Sequence, residues 1–349
     1  MARPRRVYAL LAGALLLGGC AGRDARTARE AAPPGEPAVW AGMVTDAGGI
    51  DDRSFNASAW AGLNRAREEL KARIEYLESK EQSDYETNLS ILAEQGPRLV
   101  FAVGYLMEDA LAEVAPRYPE VKFAIIDGSA PNLPNCAALK FREEEGAFLA
   151  GYLAGRMTKT GGLGFVGGVE GPLIKKFECG YRAGARTARP DVRVIVKYVG
   201  GWTDVAKGKE LALLEYAQGA DIVFHATGKA GLGVLDAAAE KGPGYYAIGV
   251  DRDQDEEHPG RVLTSVMKGV DTAVFDTVKA LAEGRWQRGD HVLGVREGAV
   301  RLSPMRYTRK DVPQHVLDAL DRLTREVAAG RVAVPKTEEE VQNFVPPKV

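Results

Sequence analysis

The stretch MVTDAGGIDDRSFNASAW, residues 43–60, joins the end of one structural element to the start of another. An apolar run at 39–45 ends at Asp46, Gly48-Gly49 allows a tight turn with positive φ, and a helical pattern begins at Phe55. Asp51, Asp52 and Ser54 stand where helix N-caps are found. A strand, a glycine turn and a helix start make the αβ junction of an open sheet, and ligands of such sheets bind at the carboxyl ends of the strands. Asp46, Phe55 and Asn56 would meet there. An acceptor, an aromatic face and an amide that can donate and accept suit a planar, polar, neutral ring such as a nucleobase. The same residues fit a plain capped junction with Phe55 packed beneath it.

Outward from this junction, short apolar runs alternate with amphipathic stretches, the pattern of a parallel sheet covered on both faces. Strands are predicted at 39–45, 73–78, 98–103, 121–126 and 137–141, and helices at 55–71, 85–94 (capped by Asp84) and 107–117. A second series follows, with a helix at 144–158 and strands at 163–166, 192–199, 221–225, 245–250 and 261–267. Helices at 271–282 and, last, at 313–329 close the chain. Two such series in 349 residues predict an α/β protein of two Rossmann-like lobes, each with its own parallel sheet.

The chain is 45% hydrophobic and 27% charged with a net charge of −2, and carries no basic stripe interleaved with aromatics, which argues against nucleic acid as a partner. Arg3, Arg5 and Arg6 precede an apolar segment at 7–17. It is shorter than the roughly 20 residues of a spanning helix, so 1–19 reads as a signal peptide. Leu17-Gly-Gly-Cys20 resembles a lipobox. Cleavage before Cys20, diacylglycerol attachment and a lipid-anchored place on the extracytoplasmic face of the cell membrane are expected. Residues 20–38, rich in Ala, Arg and Pro, read as a flexible tether. Cys136 and Cys179 are too few and too far apart for a metal knuckle or disulfide scaffold. Each reads as a small buried hydrophobe, and one disulfide between them is left open.

Gly162-Leu-Gly-Phe-Val-Gly167 satisfies G-x-G-x-x-G, but its glycines fall within a strand instead of in the turn after one, so no dinucleotide site is predicted. Asp251-Arg-Asp253-Gln-Asp255 imitates an EF-hand start, yet Glu256 replaces the glycine at position six and Val262 the glutamate at twelve. His225, His258, His291 and His315 keep no metal-ligand spacing, and His225, at a strand end, reads as structural. There is no nucleophile elbow and no P-loop. No cofactor, metal ligand or catalytic residue is therefore assigned. Gly201-Trp202 ends a strand of the second series, before a helix capped by Asp204. Trp202 is either core or, facing the strand end that carries Phe55, the second aromatic of a clamp on a base.

TDxGxxDDxSFNxSAWxGL at 45–63, GGWTDVAKGKELA at 200–212, AIGVDRDQ at 247–254 and LTSVMKGVDTAV at 263–274 together resemble the basic membrane protein family of bacterial lipoproteins. These are purine-nucleoside-binding components of ABC transporters, with a type I periplasmic-binding-protein fold. The resemblance implies a hinge made where late elements cross between lobes, an N-terminal lobe of 39–141 plus 258–287 and a C-terminal lobe of 142–257 plus 288–345. It implies that Phe55 and Trp202 stack on the base, that Asp46, Asn56 and Asp127 contact it, and that Gly228, Asp251 and Lys268 contact the ribose. Trp202 stands where the family often has phenylalanine. The residue types suit these roles, because a carboxylate accepts from both hydroxyls of a vicinal diol while a lysine donates and balances charge. The implied function is capture of purine nucleosides, guanosine or inosine ahead of adenosine, by a monomer that delivers them to an ABC permease. A nucleoside-cleaving enzyme and a surface nucleoside sensor or adhesin are the alternatives.

Overall fold

The structure is a computed structural model that describes residues 39–348; the expected signal peptide, Cys20 and the tether lie outside the described residues. The chain begins with β1 (Trp40–Thr45), α1 (Phe55–Leu70), β2 (Arg73–Glu78), α2 (Tyr85–Glu94), β3 (Leu99–Val103), α3 (Glu108–Val114), β4 (Lys122–Ile126) and β5 (Cys136–Phe141). It continues with α4 (Glu143–Met157), β6 (Gly162–Gly167), α5 (Pro172–Ala188), β7 (Arg193–Tyr198), α6 (Val205–Ala217), β8 (Ile222–Ala226), α7 (Gly231–Lys241), β9 (Tyr246–Asp251) and β10 (Val262–Lys268). It closes with α8 (Val270–Ala282), β11 (Gly289–Leu293), β12 (Val300–Leu302), α9 (Gln314–Ala328) and α10 (Glu338–Asn343).

Two six-stranded sheets result, ordered β11-β5-β4-β3-β1-β2 and β12-β10-β9-β8-β6-β7. The first is parallel throughout, and in the second only β12 runs against its neighbour. Central strands such as β3 (LVFAV) and β8 (IVFHA) are buried along their whole length, because helices cover both faces. The edge strands β2 and β7 are charged and partly exposed, which discourages pairing with another chain. In each sheet the order reverses beside the first strand of its lobe, β1 next to β3 and β6 next to β8, and these switch points are where an α/β sheet opens a crevice. Helices α4 and α5 cross at backbone distance: a Cβ on Gly151 would stand 2.1 Å from the Tyr181 carbonyl oxygen, and one on Gly184 1.9 Å from that of Phe148.

The expected α/β fold of two parallel-sheet lobes is present, but its exchange points differ from those expected. Strand β10 pairs with β9, so 262–268 belongs with the second sheet, whereas β11 pairs with β5, so 289–293 belongs with the first. The chain therefore passes between lobes after β5, at Gly269, and between β11 and β12. Register decides this, and a strand's own residues do not say which sheet it joins. Helix α3 is shorter than predicted because Pro116 has no N–H to continue it, and α10 follows the helix taken as last. Asp84 does not cap α2 with its carboxylate, which instead accepts from the amides of Lys80 (2.8 Å) and Glu81 (3.2 Å). The glycines of 162–167 lie inside buried β6, as their strand reading requires.

Glu215 of α6 is fully buried beneath β6, and no side chain hydrogen-bonds its carboxylate. Burial, only partly offset by Lys197 and the Phe165 amide, raises its pKa from 4.5 to about 9. The folded chain thus holds a proton that the unfolded chain gives up at the ordinary value, so stability present at pH 4.5 is lost as pH rises toward 9. Melting temperature followed from pH 5 to 9 should fall in the wild type and change much less in Glu215→Gln; parallel curves would show that Glu215 ionises freely.

Candidate functional site

Asp46 follows β1, and its Oδ1 accepts from the Gly48 amide (2.8 Å) and from Asn56 Nδ2 (2.7 Å). Of the three candidate caps, Asp52 does the capping. Its carboxylate takes the amides of Ser54 (2.9 Å), Asn56 (2.8 Å) and Ala57 (3.0 Å), while Ser54 makes no side-chain cap. Asp52 also accepts from Asn56 Nδ2 at 3.1 Å. Both amide hydrogens of Asn56 are thereby committed, and its Oδ1 is left buried without a partner. The amide expected to donate and accept offers a ligand only an acceptor.

The opposite side of the site is ionic. Lys268, at the end of β10 and 4% exposed, places Nζ 2.5 Å from Asp127 Oδ2, 3.8 Å from Glu143 Oε1 and 3.9 Å from Asp251 Oδ1. The ammonium also faces the rings of Phe55 (4.7 Å), Phe141 (5.3 Å) and Phe177 (5.8 Å), an arrangement that favours a cation over π-faces. Burial opposes the lysine charge, but Asp127, Asp251 and Glu143 outweigh it and raise its pKa. Burial raises Asp46 to about 6 despite Asn56, Asp251 to about 6 despite Lys268, and Glu143 to about 7 despite the same lysine. Asp127, directly after β4, and Asp251, at the end of β9, have φ of 66° and 64°, a left-handed backbone that is uncommon outside glycine, asparagine and aspartate and concentrates at functional sites.

Several of these contacts bridge the lobes. Ser54 Oγ donates to Asp251 Oδ2 at 2.5 Å, Arg53 pairs with Glu257 at 2.7 Å, and Lys268 of the second sheet reaches Asp127 of the first. They lie around a cavity between the lobes. Asp46, Phe55, Asn56, Asp127, Trp202, Gly228, Asp251 and Lys268 all line it. Asp127 lines the cavity with one carboxylate oxygen bonded to Lys268 and the other without a partner. Tyr105, Phe177 and Thr227 line the cavity too and were not singled out in the sequence. Tyr105 follows Gly104 directly after β3, at the switch point, so its position after that strand was the available signal. Phe177 lies on α5, a helix the sequence reading did not place.

Trp202 rests its six-membered ring on Gly168, where a Cβ would stand 2.2 Å from Cζ3, and meets Tyr105 edge to face at 6.5 Å and 87°. His225 is buried and structural, with Nε2 3.0 Å from Gln254 Oε1 and a pKa pushed down to about 4 by burial. Cys136 and Cys179 are free and buried, and burial raises their thiols to about 11 and about 12.

Residues 40–338 match the family model described as ABC transporter substrate-binding protein PnrA-like. Basic membrane protein A of Borreliella afzelii is 35% identical over 308 residues, 87% of this chain and 93% of that one. The ABC transporter nucleoside-binding protein BmpA of Lactococcus lactis is 32% identical over 345 residues, 93% and 96% of the two chains. An ABC transporter solute-binding protein from Aeropyrum pernix superposes with a TM-score of 0.81 at 27% identity, covering 87% of this chain and 96% of that one. Both sheets with their shared switch-point crevice, and matches that span nearly the whole described chain, assign this protein to the PnrA-like Bmp family of ABC transporter substrate-binding proteins.

Proposed function

We propose that this protein captures purine nucleosides between its lobes, guanosine and inosine ahead of adenosine, and delivers them to an ABC permease without chemical change. The observation that supports this reading is that one cavity is lined by two acceptors, Asp46 and the free Asn56 Oδ1, and by Asp251 and Asp127 around Lys268, which suit a base edge and a vicinal diol respectively. The Lactococcus relative, named as nucleoside-binding, supports the ligand class. Guanine and hypoxanthine bring an N1–H donor to such acceptors, whereas adenine brings an N1 lone pair. Base selectivity on this reading rests on Asp46 and Asn56, and Asp127 serves the sugar. Phe55 supplies a face for the base, and the indole of Trp202 covers it from the other lobe. The acylated Cys20 at the end of its tether holds the monomeric receptor at the membrane.

Calorimetric titration should find guanosine and inosine bound about tenfold or more tighter than adenosine, since the wrong base leaves a buried carboxylate poorly paired. GMP should bind at least about a hundredfold more weakly than guanosine, because its phosphate would enter a cavity already lined by the carboxylates of Asp46, Asp127 and Asp251. Adenosine winning, or GMP matching guanosine, would refute the assignment, and release of free hypoxanthine from inosine would mark an enzyme instead. Phe55→Ala should weaken guanosine roughly ten- to a hundredfold through lost stacking.

Affinity for guanosine should also decline as pH falls below about 6, where Asp46 and Asp251 take up protons and lose their power to accept. A flat profile between pH 5 and 7.5 would remove both carboxylates from ligand contact. In cells, Cys20→Ala should leave a folded protein in the soluble fraction, since acyl chains anchor by about 0.8 kcal/mol per buried CH₂. A mutant that still pellets with membranes would contradict the anchor.

A further inference from the structure

We infer that the indole N–H of Trp202 donates a hydrogen bond to the ligand, and that its acceptor is the 5′-oxygen of the nucleoside; the inference rests on the nucleoside reading above. Trp202 Nε1 is buried and has no hydrogen-bond partner. Trp40 and Trp286 also carry unpartnered indole nitrogens, but of the three only Trp202 lines the interlobe cavity. A buried N–H left without an acceptor is costly, and native proteins leave few of them. The cavity is where an acceptor can be supplied.

Covalent geometry sets the direction. Cε3 and Cζ3 of the indole press on Gly168, and Cε3 is the ring atom within 4.0 Å of where a Cβ on Gly228 would stand, so the six-membered edge of the ring is turned toward the strand ends of the second lobe. Nε1 sits on the far edge of the same ring and is therefore turned away from them. The edge-to-face contact with Tyr105 shows that the ring stands opposite the first lobe across the cavity.

An indole stacked on a base lies about 3.5 Å above it, and its N–H, being in the ring plane, runs parallel to the base. It cannot reach the polar edge of that base, which Asp46 and Asn56 already face. The sugar, in contrast, projects out of the base plane. Its vicinal diol is taken by Asp251 and Lys268 on the proposed reading, which leaves the 5′-hydroxyl as the unassigned polar group. Phenylalanine at position 202 would keep the stack and lose the donor. Trp202 is thus a specificity-determining residue for the sugar as well as a cover for the base.

The test compares inosine with 5′-deoxyinosine by calorimetry, in the wild type and in Trp202→Phe. Wild type should bind 5′-deoxyinosine about tenfold more weakly than inosine, and Trp202→Phe should bind inosine about tenfold more weakly while no longer distinguishing the two ligands. Equal binding of both ligands by the wild type, a comparison that needs no variant, overturns the inference. So does a Trp202→Phe protein that keeps the wild-type ratio. In both cases inosine is still bound and the nucleoside reading stands. A wild type that binds neither inosine nor guanosine overturns that reading and this inference together.

Discussion

The ammonium of Lys268 is the charge around which the cleft is assembled. Asp127, Asp251 and Glu143 converge on it, and any one of them buried without a counter-charge would be expensive. The lysine ends β10, one residue before the chain crosses at Gly269 into α8 and the first lobe. Its position is therefore tied to the hinge as well as to the ligand cavity. Separating the lobes draws Asp127 away from Lys268 and Ser54 away from Asp251, so opening and solvation of these charges are one event.

The polar groups around the cavity divide by what they have left to offer. Asn56 spends both hydrogens on Asp46 and Asp52, which fixes the amide and leaves an acceptor. Asp127 spends one oxygen on Lys268 and leaves the other buried without a partner. These oxygens favour a solute that brings donors and no negative charge. That combination describes a neutral, hydroxyl-rich, donor-edged molecule more closely than a nucleotide or an acid.

Most of the fold was legible because its signals are local. The run before Asp46, the glycine turn and the helix from Phe55 announce β1 and α1 within one or two residues of their ends, and Arg73–Glu78 and Tyr85–Glu94 were read to the residue. Sheet membership was not legible. Residues 262–268 and 289–293 were exchanged between lobes, since that choice is made by pairing with β9 and β5 across long sequence distances. At the site, residue types were visible but hydrogen-bond bookkeeping was not: nothing in SFN tells a reader that Ser54 reaches Asp251 while Asp52 does the capping. Glu143 escaped notice because a glutamate opening a helix is usually a solvated one, and here it is buried.

Asp127 and Asp251 occupy corresponding places. Each ends the strand next but one to the first strand of its lobe, β4 and β9, and each does so in the left-handed backbone conformation. Two sheets of like strand order place the two carboxylates at like strand ends, and both come within 4 Å of the same ammonium. Lys268 breaks that symmetry, and only one of the lobes supplies it. The backbone narrows what else could stand at either position: glycine and asparagine tolerate the conformation, but glycine has no acceptor and asparagine no charge. Replacing either aspartate by glycine or asparagine would therefore remove one of the negative charges that face Lys268.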